Sequence, residues 1–156
     1  MEQPARRPGE PASAQKGTFP HLYTVLVEGV PDGGLVSAGM RPEIHGGPPP
    51  QFGGTDTHWS PEHLLLGAAG LCLEATFQAL SRRRSLAVLR YLSRVEGKLD
   101  KTDKGIAFSA IVIHVDVTVP AADVLSAEEV LLDAKKHCIV TRSLALPVEL
   151  VASVHA

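Results

Sequence analysis

At 156 residues, with a formal net charge of −2 and two cysteines, the chain is long enough for a sizeable core. Its charge gives no bias toward nucleic acid or an anionic membrane. The one basic run, Arg82, Arg83 and Arg84, falls where a long helix should end, and dipole complementation on a solvated face accounts for it.

The stretch MEQPARRPGEPASAQKG holds no apolar run. It reads as a flexible tail over 1–17 and not as a secretory signal, with 18–156 as a single domain. The longest apolar run, LLLGAAGLCL at 64–73, is half of the roughly 20 residues a membrane span needs. The expected location is therefore the reducing cytoplasm, where two cysteines rest as thiols.

HLYTVLVEGV at 21–30 has the β-branched character of a strand, PDGG at 31–34 is a turn, and LVSAGMRPEI offers a second strand. HGGPPPQFGGTDTHW at 45–59 is too rich in Gly and Pro for regular structure. It is either a functional loop or one that merely wraps the surface. The first long helix opens at Ser60 as N-cap, with Pro61 in the first position and Glu62 facing the dipole. Leu65, Ala68, Cys72, Ala75 and Ala79 share one stripe. Gly67 and Gly70 suggest close packing or a bend. A helix apolar on every side must be covered on every side, and one small sheet covers only one.

Two extended stretches follow, at 86–100 and 105–119, and read as a long antiparallel hairpin. Ile111, Ile113, Val115, Val117 and Val119 fall on one side of the second stretch. His114, Asp116 and Thr118 fall on the other, where a histidine is solvated. A second helix starts at Ser126, with Glu129 completing a capping box, and runs to about Cys138. LPVELVASVHA closes the chain as a strand. The fold class is α+β, with helices against an antiparallel sheet.

Cys72 alone reads as a small core hydrophobe or as a reactive sulfur in a dry pocket. Cys138 follows Lys135, Lys136 and His137, which favour a thiolate only where they face it. Seven histidines and two cysteines include no CxxC, HxxxH or HExxH pairing, so no metal is expected. No glycine-rich phosphate loop or GxSxG points to a nucleotide or a serine nucleophile.

SPEHLLLGAAGLCLEAT together with HCIVTRSLALPVEL resembles the OsmC/Ohr family of thiol-dependent hydroperoxide reductases. There a helix begins near a Pro-Glu pair and bears a cysteine ten residues after the glutamate, as Glu62 and Cys72 do here. A second cysteine ends the second helix, as Cys138 does sixty-six residues on. The resemblance implies an intertwined homodimer with the first helix buried at its interface. It also implies Cys72 as peroxidatic thiol, Cys138 as resolving thiol, and Glu62 as the residue that orients the site. It implies an organic hydroperoxide as substrate and an external dithiol, in the family a lipoylated protein, as reductant, with no cofactor. One departure stands out. Peroxidase members carry an arginine near the turn of the first hairpin, and VPDGGLVSAG has none. Arg41 and Arg142 are the candidate replacements. Without a cation, the alternative is a non-catalytic member that binds a small apolar ligand or senses redox state.

Overall fold

The computed structural model describes residues 19–103 and 105–156; the expected tail at 1–17 lies outside them. β1 (Leu26–Val30) and β2 (Gly33–Ser37) form an antiparallel hairpin, with Val30 opposite Gly33. Gly33 takes φ +149° and lies so close to Gly46 that a Cβ would collide with that residue's carbonyl oxygen. Only glycine fits there. β3 (Ile44–Gly46) pairs antiparallel with β2. The stretch 45–59 is thus not irregular throughout. It completes β3, makes a 3₁₀ turn at Pro50–Phe52, and returns to bridge Gly46 with Trp59. The Trp59 N–H donates to the His45 carbonyl (3.2 Å) and the Gly47 N–H to the Trp59 carbonyl (2.9 Å), closing the loop.

α1 (Pro61–Arg83) starts as its sequence predicts: the Ser60 hydroxyl accepts the His63 N–H at 3.2 Å. Its end is a Schellman motif, with the Leu86 N–H on the Ser81 carbonyl and the Ser85 N–H on the Arg82 carbonyl. Ser85 takes φ 54°, the left-handed conformation glycine usually supplies there. The buried stripe, however, is Ala69, Leu73 and Phe77. The predicted stripe is rotated from it, leaving Cys72 half-buried and Ala68 and Ala75 exposed. An all-apolar helix gives no moment to fix its rotation, so the packing partners decide it. Gly70 packs tightly, since a Cβ there would lie 2.9 Å from Val95 Cγ2, whereas at Gly67 it would meet nothing. By length and composition α1 could cross a membrane, more than the ten-residue run suggested, because Gly, Ala and Thr carry the apolar character past the leucines. Its Ala69, Leu73 and Phe77 face instead lies in the core.

β4 (Arg90–Thr102) and β5 (Gly105–Thr118) pair antiparallel along their whole length, with a shift between Lys98 and Leu99. Ile111, Ile113, Val115 and Val117 of β5 point into the core, and His114 and Asp116 point away from it. α2 (Val124–His137) begins two residues before the predicted Ser126. A 3₁₀ turn at Ala121–Asp123 runs straight into it, Asp123 caps without a side-chain bond, and no capping box forms. Glu129 instead pairs with Arg84 at 3.4 Å, and Asp133 takes the other arm of that guanidinium at 2.7 Å. After α3 (Ile139–Arg142), β6 (Val148–His155) joins β5 in parallel, Ile111 opposite Val148. This sheet is therefore mixed and not antiparallel throughout. The helices between β5 and β6 cross its face and return the chain in the same direction. α1 and α2 lie side by side on that face.

Candidate functional site

Cys138 occupies the break between α2 and α3, with extended backbone at φ −65° and ψ 108°. It is wholly buried among Ala127, Val130, Leu131 and Ala134 and the core faces of α1 and β5. Cys72, halfway along α1, is half-buried at the edge of the same core. The break turns the chain so that the Val140 N–H donates to Cys72 Sγ at 3.5 Å. Burial pushes the Cys138 thiol above its ordinary value. The Thr141 hydroxyl and amide pull it down, and a hydrogen bond with Cys72 and the charge of that group push it up again. Two sulfurs remote in sequence are thus neighbours, one reachable and one sealed.

Glu62 stands elsewhere. Ten residues of uninterrupted α1 separate it from Cys72, about 15 Å along the axis, so the two do not meet within one chain. Its carboxylate borders a cavity of about 770 Å³ between the β1–β2–β3 sheet, the loop after β3, and the start of α1. Oε2 is shielded from solvent and has no hydrogen-bond donor among the described residues. Neither cysteine lines this cavity, and neither arginine does.

Arg41 lies exposed on the turn after β2, its guanidinium donating to the Ala38 carbonyl at 3.1 Å. Arg142 ends α3, exposed, with its backbone N–H on the Cys138 carbonyl at 3.1 Å. Neither guanidinium is among the groups that act on the Cys138 thiol. Among the described residues no cluster of three or more His, Cys, Asp or Glu could hold a metal.

Three residues near the sulfurs escaped the sequence reading. Thr141, three beyond Cys138, also donates to the Cys138 carbonyl at 3.2 Å; its i+3 spacing was the available signal. Val140 acts through its backbone, which no side-chain pattern discloses. Tyr91 packs on Phe77, ring centroids 5.5 Å apart. Its phenol is pushed up to about 12, chiefly by burial, with Ser93 opposing and Glu74 and Cys138 adding. It comes from a distant strand, beyond the reach of any local motif.

The sequence profile described as OsmC-like protein matches residues 54–152, well over half of the chain. No curated protein matches. An OsmC-like protein from Mycoplasma pneumoniae superposes with a TM-score of 0.77 at 15% identity, covering 88% of this chain and 100% of that one. An OsmC-like protein of unknown function from Vibrio cholerae gives 0.74 at 15% identity, over 86% and 99%. The organic hydroperoxide resistance protein OhrB of Bacillus subtilis gives 0.63 at 14% identity, over 86% and 98%. At such identities these structures speak for the fold.

Proposed function

The chain belongs to the OsmC-like protein family, and on that premise we propose that it is a thiol-dependent peroxidase acting on organic hydroperoxides. The Cys72 thiolate attacks the terminal peroxide oxygen, the O–O bond breaks, and the alkoxide leaves as alcohol on taking a proton. Cys72 becomes a sulfenic acid. The Cys138 sulfur then displaces water from it, forming a disulfide. An external dithiol restores both thiols by exchange and is itself oxidised; a lipoylated protein has the right chemistry. What carries this reading is that the turn at Cys138 closes on Cys72, with the Val140 N–H two residues further on donating to its Sγ at 3.5 Å. The chain acts as a cytoplasmic homodimer, which covers the exposed face of α1 at Ala68, Leu71 and Ala75 and brings the Glu62 of one copy toward the other's site.

The test is a thiol count after stoichiometric cumene hydroperoxide. Wild type loses both thiols within seconds to minutes, Cys138→Ser yields a trappable sulfenate, and Cys72→Ser keeps its remaining thiol. No loss in wild type over that time overturns the reading. A second reading, a non-catalytic member that binds a small apolar ligand, is favoured by the absence of arginine from the hairpin turn and by the apolar walls of the cavity.

A further inference from the structure

We propose that Thr141 serves the disulfide-forming step: its hydroxyl turns from the Cys138 carbonyl to the Cys138 sulfur as that sulfur gives up its proton and attacks. This rests on the peroxidase reading and adds to it a residue whose part neither cysteine nor Glu62 can play.

Thr141 is the one buried residue of α3 and one of three buried polar side chains among the described residues. Its hydroxyl donates to the Cys138 carbonyl at 3.2 Å, yet the Arg142 N–H already donates to that oxygen at 3.1 Å. The carbonyl therefore stays satisfied when the hydroxyl leaves it, and a hydroxyl proton rotates to suit its acceptor. The second acceptor is at hand. Burial holds the Cys138 thiol above its ordinary value, and the Thr141 hydroxyl and amide both act on that thiol and draw it back down. Cys138 is wholly buried in the apolar core, so its thiolate needs a donor inside the protein.

The neighbouring cations do not supply one. Lys136 donates to Asp133 at 3.3 Å and His137 Nδ1 bonds the Asp133 carbonyl at 2.7 Å. Neither they nor Lys135 nor Arg142 are among the groups that act on the thiol. The titratable groups that bear on it are Cys72 of α1, which opposes its ionisation, and Tyr91 of β4. Once Cys72 carries a sulfenic acid, the Cys138 thiolate attacks that sulfur, the S–S bond forms and the S–O bond breaks. The departing hydroxide takes up the proton that Cys138 released, giving water. Thr141 keeps its own proton throughout and steadies the charge between the two events.

The full-length reduced protein receives one equivalent of cumene hydroperoxide, and sulfenic acid and disulfide are followed by mass at a series of pH values. Thr141→Val should accumulate the Cys72 sulfenic acid and form disulfide at least roughly tenfold more slowly, as loss of a hydrogen bond to a charged group implies. The pH midpoint of that step should move upward, because the ionised form is the one that loses a partner. Thr141→Ser keeps the hydroxyl and stays near wild type in rate and midpoint. Thr141→Ala repeats the comparison should the valine variant not fold. A Thr141→Val disulfide step at the wild-type rate overturns the inference, and so does a slow step with an unmoved midpoint, which marks a packing defect. Where wild type forms neither sulfenic acid nor disulfide, the peroxidase reading falls on its own. The ionisation of Cys138 is then read by NMR of its labelled Cβ in Cys72→Ser, with and without Thr141→Val. An upward shift supports the hydroxyl's hold on the sulfur, and an unmoved midpoint overturns it.

Discussion

The amide of Val140 donates to the sulfur of Cys72 across 3.5 Å, although 68 residues separate them in the chain. Val140 lies two residues past Cys138, so the turn that seals one sulfur in the core also presents a donor to the other. The two positions therefore differ in what replacement costs. Cys138→Ser puts a hydroxyl into an apolar core and should lower stability by about 1–3 kcal/mol. Cys72→Ser, half-exposed beside an available N–H, should lose under about 1 kcal/mol. Urea unfolding of the two variants measures both; equal losses would contradict the burial of Cys138.

Stability should fall at alkaline pH, with a sign that follows from two raised values. The Cys138 thiol is held above its ordinary value chiefly by burial, and Tyr91 is pushed up from 10.0 to about 12 for the same reason. Each group ionises sooner in the unfolded chain, so its contribution is complete below the unfolded value and is lost as pH rises through the folded one. For Cys138 the decline begins near pH ~8.5, and Cys138→Ala should flatten it. In Tyr23→Phe, the remaining phenol should show its phenolate absorbance near pH 12. A midpoint at the free-tyrosine value would mean that Tyr91 is solvated.

Ser85→Gly should stabilise the chain by about 1 kcal/mol. The residue after the α1 cap sits at φ 54°, where a Cβ is strained and glycine is not. Thermal unfolding decides it, with a rise in Tm expected and a fall excluded by this geometry.

Leu71→Glu should split the proposed homodimer and leave the single chain folded. Leu71 is 69% exposed on the uncovered face of α1, so within one chain the change is worth less than about 0.5 kcal/mol. Analytical ultracentrifugation should find pairs in wild type and single chains in the variant, with unchanged circular dichroism. A variant that still associates would move the interface elsewhere.

What could be read from the sequence was what short-range chemistry determines. Ser60, Pro61 and Glu62 announced the start of α1 because capping involves neighbours, and the alternation from Ile111 to Val117 announced β5 because the pleat does. The rotation of α1 could not be read, since leucine and alanine surround it and only β4 and α2 choose its inner face. β3 was hidden among glycines and prolines because its pairing partner lies in β2. The start of α2 was misplaced because a 3₁₀ turn displaced the capping serine into the first helical turn. Only the family resemblance singled out the two cysteines as a pair, and the break at Cys138 explains how the chain beside one comes to lie against the other. The separation of Glu62 from both sulfurs within one chain follows from the rise of an unbroken helix, and its cavity from a sheet that sequence could not position.

The parallel return of β6 has a consequence for how Cys138 is sealed. α2 and α3, which flank that residue, are strung between β5 and β6, two neighbouring strands of one sheet, so both ends of the excursion are anchored to the same surface. Whatever lifts β6 from β5 would loosen the lid over the buried sulfur without unwinding either helix.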